Sequence, residues 1–169
     1  MQTDNKFDLI VAGAGHSGIE ASLAAAKRGL KVALFTIKIE AIGRMSCNPS
    51  IGGPAKGHLA REIDALGGEI AKSADLSGIH FRMLNRSKGP AVWAPRSQND
   101  RQKYHLLMRE AIENQENIHL IEAIIAELIV ENGCVKGVIS QIGHCYYAPK
   151  VILATGTFLQ GKIHIGKIS

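Results

Sequence analysis

Six residues near the amino terminus, Gly13-Ala14-Gly15-His16-Ser17-Gly18, narrow the choice of fold more than any other part of the sequence. They fit the spacing G-x-G-x-x-G, and their setting gives that spacing meaning. Phe7 to Ala12 is a short apolar run that reads as a strand, and an alanine-rich helix is expected from His16 to about Arg28, ended by Gly29. Leu30 to Thr36 then reads as a second strand. In such a strand–turn–helix–strand unit the first glycine permits a tight turn and the second lets a diphosphate approach the backbone. The third lets helix and strand pack closely, with the anion resting on the helix N-terminus. Two parallel strands joined by a helix begin a doubly wound sheet. One usual element is missing: Leu34-Phe35-Thr36-Ile37-Lys38 holds no acid to bind a ribose, and Glu40 lies past the strand. Thr36 offers a hydroxyl instead, while Lys38 reads as a possible partner for a 2′-phosphate, which would mean NADP.

The remainder supplies more pieces of the same architecture. Ile37 to Pro54 carries turn chemistry at Gly43, Asn48-Pro49 and Gly52-Gly53-Pro54, and reads as an ordered functional loop. Helices are expected over Ala55 to Leu66 and over Ser97 to Asn114, with a strand at Ile118 to Ala123. Ile125 to Glu131 and Cys134 to Ser140 flank Asn132-Gly133, a strong type I′ hairpin signal, and His144 to Tyr147 extends it to a three-stranded meander. Lys150 to Thr155 is a buried strand running into Gly156. The fold class is α/β: a Rossmann-like doubly wound parallel sheet with a three-stranded β-meander. The meander before a returning strand favours FAD, by analogy with the large FAD/NAD(P)-binding class. The expected organisation is one dinucleotide-binding domain over 1–169, with a long crossover at 37–117 and the meander at 125–147.

Bulk properties exclude several classes. The polar start, Gln2-Thr3-Asp4-Asn5, has neither a basic nor an apolar region of a signal peptide, and no apolar run reaches the roughly 20 residues of a membrane helix. Three scattered cysteines argue against a disulfide framework and for a reducing cytoplasm. No Walker motif is present, because Ile19-Glu20 follows Gly18, and Gly52 to Gly57 has the wrong spacing. The seven histidines never fall at ligand spacing, so no metal site is expected. Net charge is +5, and Ile37 to Glu110 carries all of that excess, with twelve Lys and Arg against seven Asp and Glu. A localised basic segment is the footprint of a polyanionic partner or simply a solvated face.

Ser46-Cys47-Asn48-Pro49-Ser50-Ile51-Gly52-Gly53-Pro54 is the most distinctive stretch. Its glycines and prolines can turn backbone N–H groups toward an anion or a flavin edge. Cys47 can be a reactive thiolate there, or a small buried apolar residue. Together with Ala12 to Gly18, Lys56-Gly57-His58-Leu59, Glu62 to Gly68, Ser87-Lys88-Gly89-Pro90-Ala91-Val92 and Gly156 to Ile163, this stretch closely resembles the tRNA uridine 5-carboxymethylaminomethyl modification enzymes, long called glucose-inhibited division protein A. The missing ribose acid is also a feature of that family.

The resemblance implies FAD bound through Gly13, Ala14, Gly15, His16, Ser17 and Gly18, and through the backbone at Ile125. Thr36, Asn48, Gly52, Gly53, Thr155 and Gly156 are the other candidate cofactor contacts. It also implies NADH as reductant, methylenetetrahydrofolate as one-carbon donor, a GTPase partner, a homodimer and a cytoplasmic setting. The product would be a carboxymethylaminomethyl-type group at the 5-position of the wobble uridine, with Cys47 a candidate catalytic residue. Arg82, Arg86, Lys88, Arg96 and Arg101 are the candidate contacts to tRNA. Members of the family are several times longer, so the chain is expected to be an amino-terminal part with an incomplete sheet, unable to turn over alone. The competing readings are a small-molecule FAD or NAD(P) oxidoreductase and a non-catalytic nucleotide- or RNA-binding module.

Overall fold

The structure, a computed structural model, describes residues 5–45, 48–159, 161 and 166. β1 (Leu9–Ala12), α1 (His16–Ala26) and β2 (Val32–Thr36) form the expected unit, with the two strands parallel in the register Leu9 to Val32 through Ala12 to Phe35. Both strands are buried throughout because both sheet faces are covered, which is why they read as unbroken apolar runs. Leu9, Val11, Val32 and Leu34 point toward Ile19, Leu23, Tyr104 and Met108, whereas Ile10, Ala33 and Phe35 alternate to a second core with Phe7 and Val138.

After Thr36 the chain leaves this sheet and builds a second one. A short 3-10 turn at Ile39–Ala41 is followed by β3 (Ser50–Gly52), α2 (Lys56–Ala65), α3 (Ile70–Ser77), β4 (Gly78–Leu84), β5 (Ala94–Asn99) and α4 (Arg101–Glu113). β3, β5 and β4 pair antiparallel in that order. The loop expected over Ile37 to Pro54 therefore contributes a strand. The helix expected from Ser97 also starts later, since Ser97 to Asn99 belong to β5. Asp100 sets the true start: its carboxylate accepts the Lys103 N–H at 2.9 Å and caps α4. Ala-Pro-Arg-Ser-Gln-Asn has little intrinsic strand preference, so tertiary contacts hold β5 in place. The buried Asn99 side chain donates to the Ala74 carbonyl at 2.6 Å and to the Ser77 hydroxyl at 3.0 Å, tying the strand to α3.

β6 (Ile118–Glu122) then joins β2 in parallel, and β7 (Ile125–Glu131), β8 (Cys134–Ser140) and β9 (Cys145–Tyr147) form the meander. Asn132 and Gly133 adopt φ of 50° and 75°, the left-handed pair that a type I′ turn requires. The meander covers the sheet face opposite α1, through Val138 and Tyr146 against Phe35 and Ile10. β10 (Val151–Leu153) pairs with β1, which completes the order β10-β1-β2-β6. The chain thus moves outward from β1 to β6 and returns on the other side of β1. The reversal falls at the carboxyl ends of β1 and β10, where sheets of this kind form a ligand-binding crevice.

Candidate dinucleotide site and its cationic flank

The glycine-rich turn lies in that crevice. Gly13 has φ +112°, and a Cβ there would meet the Ala154 carbonyl oxygen at 2.3 Å, so the turn passes directly against the end of β10. A Cβ on Gly18 would meet the Gly13 carbonyl oxygen at 1.8 Å, which fixes α1 closely against the turn. Gly15 is the opposite case: nothing lies within 4 Å of its Cβ position. It is the N-cap of α1, and no side chain caps that helix or places an acid in its first turn. The turn is therefore closed where it must pack and open where an anion can reach the helix N-terminus. These residues fit the diphosphate of a dinucleotide. Ala14 holds the next wall in place, because its carbonyl accepts the Gly43 N–H at 3.0 Å and His105 Nδ1 meets the Ile42 carbonyl at 2.7 Å.

The other candidate contacts fall around this turn in two groups. Thr155 and Gly156 follow β10 directly, and Gly156 is left-handed at φ +58°. Thr36 ends β2, where its hydroxyl donates to the Lys38 carbonyl at 2.9 Å. Ala123 N–H donates to Thr36 O at 2.9 Å, and Ile125 opens β7 two residues later, so Ile125 begins the meander close to the carboxyl end of β2. A carboxylate stands near this end of β2: Glu122, in register with Thr36, accepts the Ile39 N–H at 2.9 Å. It comes from β6 after a crossover of some eighty residues, so no local spacing in the sequence announces it. Ser46 and Cys47 lie outside the described residues, so the candidate catalytic Cys47 has no structural account. Asn48 is exposed beside them, and its carbonyl accepts the Ser50 N–H at 2.8 Å.

Gly52 and Gly53 carry the second group. Both are left-handed, and a Cβ on Gly52 would meet the Pro95 carbonyl oxygen at 2.1 Å. That same carbonyl accepts the Gly53 N–H at 2.8 Å. Two residues on, Ala55 adopts φ 63° and ψ −59°, with the Lys56 N–H donating to Pro54 O at 2.8 Å. This is the rare positive-φ γ-turn, a strained conformation for a residue with a Cβ. It launches α2 and directs Lys56, whose ammonium also donates to the Ser50 carbonyl at 3.1 Å. Burial and then the Arg96 charge push Lys56 below its ordinary range. His16 is lowered in turn by burial and by Lys56, so it favours the neutral form. Its ring packs against Tyr104 at 5.7 Å between centroids, and burial with Glu20 and Glu69 nearby drives that phenol upward.

Through its bond to Ser50, Lys56 reaches the second sheet, where cations gather. Arg82 on β4 stands directly opposite Arg96 on β5, so the two side chains leave the same face. Like charges paired across strands destabilise a sheet unless something neutralises them. Among the described residues no carboxylate pairs with either one, and none lies in the sequence between Leu76 and Asn99. Arg86 and Lys88 are exposed in the loop joining β4 and β5. Arg101 opens α4 at the other end of β5, about 17 Å along the strand from that loop, so the structure separates it from Arg86 and Lys88.

Known proteins share this sequence and fold. The family model described as glucose inhibited division protein A matches residues 8–169. The tRNA uridine 5-carboxymethylaminomethyl modification enzyme MnmG of Thermodesulfovibrio yellowstonii is 58% identical over 98% of this chain and 27% of its own length. Its counterpart from Geobacter metallireducens is 53% identical over 96% of this chain and 26% of its own. The chain therefore spans little more than a quarter of these relatives. Among solved structures, GidA of Aquifex aeolicus superposes with a TM-score of 0.88 at 48% identity, over 93% of this chain and 26% of that one. A probable FAD-dependent monooxygenase of Pseudomonas aeruginosa, pqsL, shares the fold at 15% identity and a TM-score of 0.62, over 86% of this chain and 41% of that one. No helix among the described residues is long and apolar enough to cross a membrane. With a family model that accounts for nearly its whole length, the chain belongs to the glucose inhibited division protein A family.

Proposed function

We propose that the chain is the amino-terminal, dinucleotide-binding segment of a flavoenzyme that modifies the wobble uridine of tRNA in the cytoplasm. The observation that carries this reading is the occurrence of two features in one chain. The glycine turn is open at Gly15, and the Arg82–Arg96 pair on the second sheet is unneutralised. The first suits the diphosphate of FAD and the second suits an RNA backbone. The names of relatives more than half identical to the chain support the same substrate.

On this reading each group has a task. The Gly13 to Gly18 amides hold the diphosphate, with Thr155 and Gly156 closing the β10 side. Thr36 and Ile125 receive the adenosine half. Asn48, Gly52 and Gly53 line the mouth toward the reacting end, and Cys47 serves there as the catalytic thiol. FAD, when bound, supplies the redox chemistry. Arg82 and Arg96 neutralise tRNA phosphates, Arg86 and Lys88 extend that contact, and Arg101 touches the RNA from a separate side. NADH, methylenetetrahydrofolate, a GTPase partner and a second copy of the chain belong to the same proposal for the whole protein.

The decisive experiment is the visible spectrum of the chain after incubation with FAD and gel filtration. Flavin bands that stay with the protein, together with a tRNA gel shift that weakens steeply with salt, are expected. A chain that holds neither flavin nor tRNA would overturn this assignment of the segment.

A further inference from the structure

The loop between β4 and β5 holds the chain's single tryptophan in an arrangement that the dinucleotide site does not use. It is tied to itself rather than to the body of the protein. Lys88 N–H donates to Asn85 O at 2.9 Å, Asn85 Nδ2 donates to Val92 O at 3.1 Å, and Trp93 N–H donates to Pro90 O at 3.1 Å. Trp93 Nε1 donates to the Lys88 carbonyl at 3.2 Å, which fixes the plane of the indole. Asn85 turns the strand into this loop at φ 60°, and Pro90 stiffens its far side.

Although so fixed, the ring is not covered: Trp93 is 44% exposed and the neighbouring Val92 45%. The surroundings choose its partner. Arg86 and Lys88 are exposed within the same loop, and Arg96 lies three residues along the chain, about 10 Å away in extended backbone. The stretch from Leu76 to Asn99 has no acid. An open depression lined by Phe81, Arg82, Leu84, Asn85, Arg86 and Ser87 runs beside the loop. A partner protein's apolar surface would bring Trp93 into contact but leave these cations without counter-charge. A base with its phosphate satisfies both, because every base has a π-face and the phosphate pairs with Arg or Lys.

We propose that Trp93 is a stacking platform for an unpaired base of the bound RNA, and so selects single-stranded loop over duplex. This rests on the RNA substrate proposed above. The indole takes the base face, Arg86 and Lys88 take the flanking phosphates, and the internal hydrogen bonds of the loop spare the ordering cost of binding. A base inside a duplex is already stacked on both sides and gains nothing from the ring.

Because Trp93 is the only tryptophan, its emission reports on this position alone. The test titrates the chain with a hairpin RNA carrying an unpaired loop, and separately with a blunt duplex RNA of equal phosphate count. The expected result is quenching of Trp93 by the hairpin at saturation and little change with the duplex. Trp93→Ala should weaken hairpin binding roughly 5- to 150-fold, the range for one stacked base, and leave duplex binding within about twofold. Trp93→Phe should retain most of the preference, which separates loss of stacking from loss of fold. Equal quenching by both RNAs, or equal affinities for Trp93→Ala and the parent chain, overturns the platform while RNA binding itself survives. If neither RNA binds, the RNA-binding reading of this segment falls together with the platform. A blue-shifted emission that depends on protein concentration without RNA reveals a protein contact at the ring and also refutes the proposal.

Discussion

Replacing Gly15 and Gly18 by alanine, one at a time, separates two tasks that the same turn performs. At Gly18 the new methyl would sit 1.8 Å from the Gly13 carbonyl oxygen, where ordinary contact begins at 3.4 Å. The amino end of α1 must withdraw by about 1.6 Å, since a packed backbone cannot absorb that overlap. Overpacking of this kind costs about 1–3 kcal/mol, and the better helix propensity of alanine returns roughly 0.5–1 kcal/mol. The net loss should be about 1–2 kcal/mol in urea unfolding followed by far-UV circular dichroism. Withdrawal also lengthens the amide contacts to the diphosphate. Losing one such charge-assisted bond, worth about 1.5–3 kcal/mol, weakens ADP or FAD about 10- to 150-fold. Gly15 has φ −76° and open space at its Cβ position, so Gly15→Ala meets no clash and should cost only about 0.5–1 kcal/mol, the difference between a good and a poor N-cap residue. Its methyl nevertheless occupies the approach to the helix N-terminus, and ADP affinity should fall at least about tenfold. An unaltered affinity for both nucleotides in Gly15→Ala would refute the placement of the diphosphate. Unaltered stability in Gly18→Ala would refute the packing argument.

Three further outcomes follow from the cationic residues. Replacing Arg82 and Arg96 together by glutamine removes a like-charge pair, so thermal stability should hold or rise by about 0.2–1 kcal/mol. In the same variant the salt slope of single-stranded RNA binding should fall by about 1.4, and an unchanged slope would show that the pair faces something else. Ala55→Gly relieves the positive-φ γ-turn and should stabilise the chain by about 1 kcal/mol in thermal unfolding, while freeing Lys56 enough to weaken anion binding. His16 resists protonation in the folded chain, so as pH falls below about 6.5 the unfolded chain takes up the proton first and stability declines. The decline ends once folded His16 is protonated as well. His16→Gln should flatten that part of the urea midpoint against pH, and a flat profile in the parent chain would contradict the assigned environment.

The legible parts of this fold were those specified within a few residues of one another. The turn at Gly13 to Gly18 sits between a buried strand and a helix, and Asn132-Gly133 meets the backbone demand of a tight hairpin. The second sheet was not legible. Strands β3 and β5 are short and polar, and they persist because Ile51 and Phe81 both register with Ser97, and Asn99 is anchored on α3. These contacts join distant segments, so no local period announces them. The γ-turn at Ala55 is hidden for a related reason, as the sequence Pro-Ala-Lys carries no requirement for positive φ. For the site, the glycines and the basic residues were visible as types. Register was needed to show that Arg82 and Arg96 oppose each other, and that Glu122 stands near the end of β2.

The pairing of β10 with β1 bears on the order in which the molecule is made. Ile10 meets Val151 only after some 140 residues have been synthesised between them, whereas α1 and β2 can form as soon as they emerge. One wall of the crevice, Ala154 against Gly13, consequently arrives long after the turn itself. A nascent chain therefore presents a glycine turn with no far side, and a dinucleotide has little to grip until the strand closes. The cofactor should then act as a latch on the paired β1 and β10 rather than as a template for their pairing. Refolding should proceed at the same rate with or without the nucleotide, and unfolding should slow when it is bound.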